Sequence, residues 1–284
     1  MKTPLINRAG RLTSLGLALG LSVLGLSACA APAANPTSPP PATGDSVTPT
    51  ANLAPTDLTV LAAASLTAVF TAIGHDFESA HPGVTVHLSF DGSATLVTQI
   101  SQGAPADIVA LADNTSMDKL VQAGLIAGTA ITFASNNLVL AVPADNPAGV
   151  TSLADLLKPD VKTITCAAEV PCGAAAQRVF AAAGVSVTPV SLESSVTAVV
   201  TKLTLGEADA GLVYATDVAG ANGQLLTVAL PDDPAVTQAG QTTYPIAVVA
   251  TTAQTGLANQ FIDFVTTGAG QTRLQSAGFG PPGT

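Results

Sequence analysis

Positive charge is scarce in this chain of 284 residues: nine Lys and Arg stand against nineteen Asp and Glu, a formal net charge of −10. Three of the nine (Lys2, Arg8 and Arg11) fall within the first eleven residues, and no acid precedes Asp45. Without those three, six cations face nineteen acids and the net charge becomes −13. Backbone-phosphate binding needs clustered Lys and Arg, so this balance excludes nucleic acid as a partner. Charged residues make up only 10% of the chain while 48% are hydrophobic, which excludes global disorder. Long apolar runs are also missing: one stretch alone, Leu15 to Leu26, approaches membrane length, so the chain is not a polytopic membrane protein. Neither G-x-S-x-G nor G-x-x-x-x-G-K-[ST] occurs, which leaves no hydrolase elbow and no P-loop.

What is present begins with a targeting segment. Residues 1–28 read as a lipoprotein signal peptide, with a basic start, an apolar stretch and then Leu26-Ser27-Ala28 before Cys29. Small residues before a Cys at that place resemble the bacterial lipobox, in which Cys29 becomes the lipidated first residue; the alternative is an ordinary signal peptide with a chance Cys. Two or more acyl chains give stable anchoring. The mature protein is expected to be exported and lipid-anchored to the outer face of the cytoplasmic membrane. Residues 29–56 hold seven Pro and one charge and show no period, which suits a semi-extended tether.

From Asp57 the pattern changes to alternating strands and helices. Strand-like runs occur at Leu58–Ala62, Val84–Phe90, Asp107–Leu111, Asn137–Val142, Thr163–Thr165, Gly211–Tyr214 and Tyr244–Ala250. Helical spacing occurs at Leu66–Ala80, Ala94–Gln102, Ser116–Ala123, Ser152–Leu157, Ala174–Ala183, Ser194–Leu205 and Gln254–Thr267. Such alternation argues for an α/β fold with mostly parallel sheets. Asn136–Pro143 and Gln241–Val249 read as crossings between two halves, which makes the first half discontinuous.

With Cys29 assigned to lipid, Cys166 and Cys172 form an even pair in an oxidising compartment, and a disulfide is expected. A zinc pair is the alternative, but no His follows His87. His75, His81 and His87 read as solvated surface groups, and Asp232-Asp233 as turn charge. No metal site and no catalytic residue are expected. The strand ends offer something else. Ser65, Ser93, Cys172 and the Ser194-Ser195-Val196 run each stand where a helix begins. Helix starts carry free N–H groups and a positive dipole end, and several of them converging make an anion site without Lys or Arg. In open α/β sheets they converge at the carboxyl ends of the strands. The alternative for each Ser is ordinary N-capping.

A longer set of segments speaks to this choice. Ala62-Ala63-Ala64-Ser65-Leu66-Thr67, Ser89-Phe90, Ser93-Ala94-Thr95-Leu96, Gly103-Ala104-Pro105-Ala106-Asp107 and Met117-Asp118 run in order. Asn136-Asn137-Leu138-Val139, Val170-Pro171-Cys172-Gly173, Gly211 to Tyr214 with Asp217, and Tyr244-Pro245 continue them. In order and spacing they resemble the molybdate-binding ModA family, across essentially all of residues 57–280. The resemblance implies an extracytoplasmic solute-binding protein that delivers molybdate or tungstate to an ABC importer. It implies a two-lobed type II periplasmic-binding-protein fold: residues 57–136 and 243–284 form lobe one, residues 137–242 lobe two, each a mostly parallel sheet flanked by helices.

Carried over, the oxyanion is held by Ser65 and Ser93 through hydroxyl and N–H, by the N–H groups of Cys172 and Val196, and by the Tyr214 hydroxyl. Cys172 stands where the family usually has a small non-Cys residue, which a backbone donor tolerates. Asp91, two residues before Ser93, is expected to face solvent or cap its own turn. The implied partners are a small oxyanion, the importer's membrane permease and the membrane through the lipid on Cys29; the chain is expected to be a monomer without cofactor. Two rivals stay open. One is a receptor for sulfate or phosphate at the same helix starts. The other is an exported hydrolase with Ser65 or Ser93 as nucleophile and His81 or His87 as its base.

Overall fold

The computed structural model describes residues 56–282. The expected signal peptide, Cys29 and the tether up to residue 55 lie outside the described residues. The first strand, β1 (Thr56–Ala63), begins two residues earlier than the apolar run predicts. Its side chains alternate between two cores: Leu58, Val60 and Ala62 pack with Phe70 and Phe261, whereas Leu61 packs with Leu96 and Val109 on the other face. A strand covered on both faces needs a continuous apolar run, and Leu-Thr-Val-Leu-Ala-Ala supplies it.

After β1 come α1 (Thr67–Ala80), β2 (Val84–Asp91), α2 (Ser93–Ser101), β3 (Ile108–Ala110) and α3 (Asn114–Gln122). A long strand follows, β4 (Ile126–Pro143). Then come β5 (Thr163–Cys166), α4 (Pro171–Ala182), β6 (Ser191–Glu193), α5 (Val196–Thr204), β7 (Ala210–Tyr214) and α6 (Ala215–Gly220). The chain continues with β8 (Leu225–Val228), α7 (Pro234–Gly240), β9 (Gln241–Val249), α8 (Thr255–Thr266) and α9 (Gly268–Ser276).

Strands β2, β1 and β3 pair in parallel, as do β6, β5 and β7. Between these two groups run β9 and β4, antiparallel to each other from Ile126–Val249 to Asn137–Gln241. Strand β4 changes partner at Leu138, where it leaves β9 and pairs with β7 and then β8. The fold is therefore α/β, with sheets flanked by helices, β4 passing from one sheet to the other and β9 running beside its first part. A third core, built on Leu140, Ile164, Val179, Val199 and Leu212, belongs to the β5–β6–β7 side.

Several elements depart from the sequence expectation for identifiable reasons. The crossing strand β4 starts ten residues before Asn136, because Ile126–Ser135 pairs with β9 through two register shifts that blur its period. Leu153–Leu157 is a 3-10 turn, closed by a capping box of Ser152 and Asp155. Helix α4 starts at Pro171, three residues early, since a proline in the first turn gives up no needed N–H. The short elements β6, α6, β8 and α7 hold too few residues for periodicity to register.

Phe77 anchors the α1–α8 contact: it is fully buried, stacks on His81 at 3.9 Å and meets Phe261 and Phe264 edge-on at 5.1 and 5.6 Å. Phe77→Ala leaves a cavity there and is expected to cost about 3–5 kcal/mol. Urea titration should show a lower midpoint with an unchanged slope.

Candidate functional site

The β-strand ends and helix starts enclose one small cavity lined by Ala63, Ala64, Ser65, Gly92, Ser93, Ala112, Val170, Pro171, Cys172, Val196 and Tyr214. Ser65, Ser93, Cys172, Val196 and Tyr214, singled out from the sequence, all line it. The lining holds no Asp, Glu, Lys, Arg or His. The centre of a water-sized sphere can move through only about 10 Å³ of it. Pockets for metabolite-sized molecules run to several hundred Å³, so this one suits a group of a few atoms.

Its polarity comes from uncapped helix starts. Away from the cavity, two helix starts carry side-chain caps and two do not: Asp113 accepts from Ser116 N–H at 2.6 Å on α3 and Asp233 from Ala235 N–H at 2.7 Å on α7, whereas α8 and α9 are uncapped. The 3-10 turn Ala64–Leu66 that leads into α1, and the starts of α2 and α4, have none. Ser65 sits inside that turn and Ser93 is the first residue of α2 after Gly92, so neither is the N-cap that the sequence alternative required. On α5 the cap is Ser195, whose Oγ accepts from Ala198 N–H at 3.3 Å, and Val196 follows it as the first helical residue.

Each hydroxyl at the cavity has a defined surrounding. Ser93, 1% exposed, accepts the Ala112 N–H at 3.0 Å, which leaves its own proton to be donated. Ser65 Oγ lies 3.1 Å from the Tyr244 hydroxyl. Tyr214 is 1% exposed, and its hydroxyl bonds to no other group among the described residues. Burial pushes the Tyr214 phenol well above its ordinary value, with Tyr244, Asp217 and Asp113 adding to the effect, so it stays a donor at any physiological pH. An orphaned buried donor is costly and calls for a partner.

Closeness across the cavity is set by a glycine. A Cβ built on Gly92 would overlap the Ser194 carbonyl oxygen, so the start of α2 and the approach to α5 touch backbone to backbone. Asp91 caps its own turn by accepting the Gly92 N–H at 2.7 Å, and it is not part of the lining. Cys166 and Cys172 are joined in a disulfide, which excludes the zinc pair and fixes the loop between β5 and α4. No group of three or more metal-ligating side chains occurs among the described residues. The hydrolase alternative lacks its base: His81 bonds the Phe77 carbonyl at 2.9 Å, His87 pairs with Asp57 at 3.0 Å, and neither lines the cavity.

Sequence reasoning gave no role to Tyr244, Asn136 or Ala112. Tyr244 and Asn136 are a buried phenol and a buried amide, each at the polar end of a strand segment that also holds Ser135, Asn137, Thr242 and Thr243, so neither stood out by itself. Ala112 contributes only its backbone, which a side-chain pattern cannot show.

Comparison with known proteins narrows the chemistry. The sequence profile of the family described as bacterial extracellular solute-binding protein matches residues 58–280. The chain is 40% identical over 271 residues to a molybdate-binding protein ModA of Mycobacterium tuberculosis, covering 95% of this chain and 98% of that protein. It is 30% identical over 202 residues to the molybdate-binding protein ModA of Escherichia coli, covering 68% and 77%. Among solved structures, the periplasmic molybdate-binding protein of Azotobacter vinelandii superposes with a TM-score of 0.68 at 20% identity, over 80% of this chain and all of that one. That last likeness speaks to the fold.

One titratable group stands directly behind the lining. Asp217, the third residue of α6, accepts the Tyr214 N–H at 2.9 Å. Removal from water, only partly offset by that bond, pushes its carboxyl up to about 7. An Asp in the unfolded chain ionises near pH 4, so between about pH 4 and 7 the folded protein keeps a proton that the unfolded chain has lost. This contribution to stability is complete below about pH 4 and is lost as pH rises through about 7. Asp217→Asn keeps the acceptor and removes the titration. Chemical denaturation from pH 4 to 8 should show a decline in the unsubstituted protein that flattens in the variant.

Proposed function

Because the chain belongs to the bacterial extracellular solute-binding proteins, within the molybdate-binding ModA family, we propose that it captures molybdate or tungstate and delivers it to an ABC importer. The observation that carries this reading is a cavity of a few atoms' size, free of charged side chains, into which three hydroxyls and several uncapped helix starts face. Ser65 and Ser93 hold the anion by hydroxyl and N–H, Cys172 and Val196 by N–H, and Tyr214 by its hydroxyl. Residues 57–136 with 243–284 act as one lobe and residues 137–242 as the other, with the anion between them and β4 and β9 as the connection. The chain acts as a receptor and carries out no reaction on its ligand.

The remaining features fit a tethered carrier. Cys29 bears lipid that holds the exported monomer at the outer face of the cytoplasmic membrane, and the Pro-rich segment before Thr56 gives it reach toward the permease. No helix among the described residues is long and apolar enough to cross a membrane.

N–H and O–H donors without an acceptor carboxylate also imply selectivity. Molybdate and tungstate at neutral pH are dianions with four acceptor oxygens and no proton. Phosphate carries a proton that would meet a donor, and an unpaired buried polar group costs about 1–3 kcal/mol. Sulfate lacks the proton, so only its smaller size counts against it. The negative net charge is no obstacle, because exposed charges are screened beyond about 8 Å at physiological salt while helix starts act within the closed site.

A thermal-shift panel tests this. Molybdate and tungstate at 100 times their dissociation constants should each add about 2.7 kcal/mol of stability. Sulfate should add little and phosphate nothing; phosphate as effective as molybdate would overturn the assignment. In calorimetry Ser93→Ala and Tyr214→Phe should each weaken molybdate by about 10- to 100-fold, the worth of one hydrogen bond to a charged group. Unchanged affinity in either variant removes that residue from the site.

A further inference from the structure

Tyr244 does not line the cavity, yet it governs one of the hydroxyls that does. It is fully buried in β9, with its hydroxyl 3.1 Å from Ser65 Oγ. Which of the two donates is decided one residue further back, at Asn136 in β4. The Asn136 Oδ1 accepts the Asn137 N–H at 2.9 Å, and this fixes the orientation of the amide. Its Nδ2 then donates to Thr216 Oγ1 at 2.8 Å and points to Tyr244 Oη at 3.5 Å. Tyr244 Oη thus faces a donor on one side, and Ser65 Oγ is the acceptor left for its proton. Burial raises the Tyr244 phenol far above its ordinary value, so that proton is always present.

The donor direction therefore runs from Asn136 to Tyr244 to Ser65. Ser65 oxygen receives the phenol proton, and the Ser65 proton is directed into the cavity. Ser93 reaches the same state by another route, through the Ala112 N–H. We propose that Tyr244, oriented by Asn136, is a positioning residue that fixes Ser65 as a proton donor and thereby makes the cavity reject protonated oxyanions. The proposal rests on the oxyanion reading of this site and adds two residues outside its lining, one on each crossing strand, as determinants of selectivity. Loss of the Tyr244 hydroxyl frees Ser65 to rotate and to accept a proton from hydrogenphosphate.

Calorimetry and competition on the purified protein test this with molybdate, sulfate and inorganic phosphate near pH 7.5. In Tyr244→Phe, molybdate affinity should fall by up to about tenfold, the range of one hydrogen bond. Phosphate should at the same time begin to compete with molybdate, narrowing the preference by about tenfold or more. In a Ser65→Ala background the same Tyr244→Phe change should leave the preference unaltered, because its effect passes through Ser65. Should Tyr244→Phe fail to fold, Asn136→Leu gives the same readout with the ring retained, since Tyr244 oxygen can then accept from Ser65. Molybdate and phosphate weakening together, no gain in phosphate competition, or an equal effect without the Ser65 hydroxyl would each overturn the proposal. A protein that binds sulfate but not molybdate would overturn the molybdate reading alone, and sulfate would take molybdate's place in the same comparison.

Discussion

The bond from the Asn137 N–H to the Asn136 side-chain oxygen sets which way the buried Asn136 amide points. An amide can turn end for end, and the two orientations offer opposite chemistry to whatever lies beside it. With the oxygen tied to the backbone, the nitrogen faces Thr216 and Tyr244, and the proposed donor direction runs on from there to Ser65. Together with Ala112 behind Ser93 and the unpartnered Tyr214, the result is a cavity lined by N–H and O–H groups and free of carboxylates. Neutral donors of this kind suit an anion without bringing a buried counter-charge, whose own desolvation would have to be offset.

The same residues sit where the chain passes between its two sheets. Asn136 and Asn137 are the last of β4 to pair with β9, and the next residue, Leu138, pairs with Tyr214 itself. Arg178 of α4 donates to the carbonyls of Ala239 and Gln241, joining the helix that carries Cys172 to the beginning of β9. Tyr214 and Tyr244 meet edge-on with ring centres 6.1 Å apart. Side chains that face the cavity and side chains that hold the crossing strands thus form one packed unit, and the Gly92–Ser194 contact closes it on the far side. The cavity lining and the strands β4 and β9 are in direct contact through a few residues.

Much of this was legible in the sequence because it depends on local pattern. Apolar runs of four or five residues marked β7 and β1, and helical spacing marked α1 and α8, since burial of a strand or a helix face requires those periods. Helix starts after strands marked Ser65, Ser93, Cys172 and Val196. Resemblance was needed to single out Tyr214, because a Tyr at the end of a buried strand reads equally well as core. Longer-range features escaped. The early half of β4 carries register shifts that erase its alternation. Asn136 and Tyr244 lie more than a hundred residues apart, and the hydrogen bond that joins them exists only once both crossing strands are paired. The Gly92 contact depends on a carbonyl from the opposite side of the cavity, which no window around Gly92 contains.

The disulfide has a consequence for how such a carrier works over time. Cys166 ends β5 and Cys172 stands second in α4, so the bond encloses the segment that leads to the Cys172 N–H. A loop that must be ordered at each encounter lowers affinity by the entropy of ordering it. In the proposed carrier the segment is constrained once, when the thiols are oxidised, and stays constrained through later rounds of capture and release. A carrier emptied at a permease and refilled many times in its life returns each time to a loop already in place, so its thousandth cycle starts from the same geometry as its first.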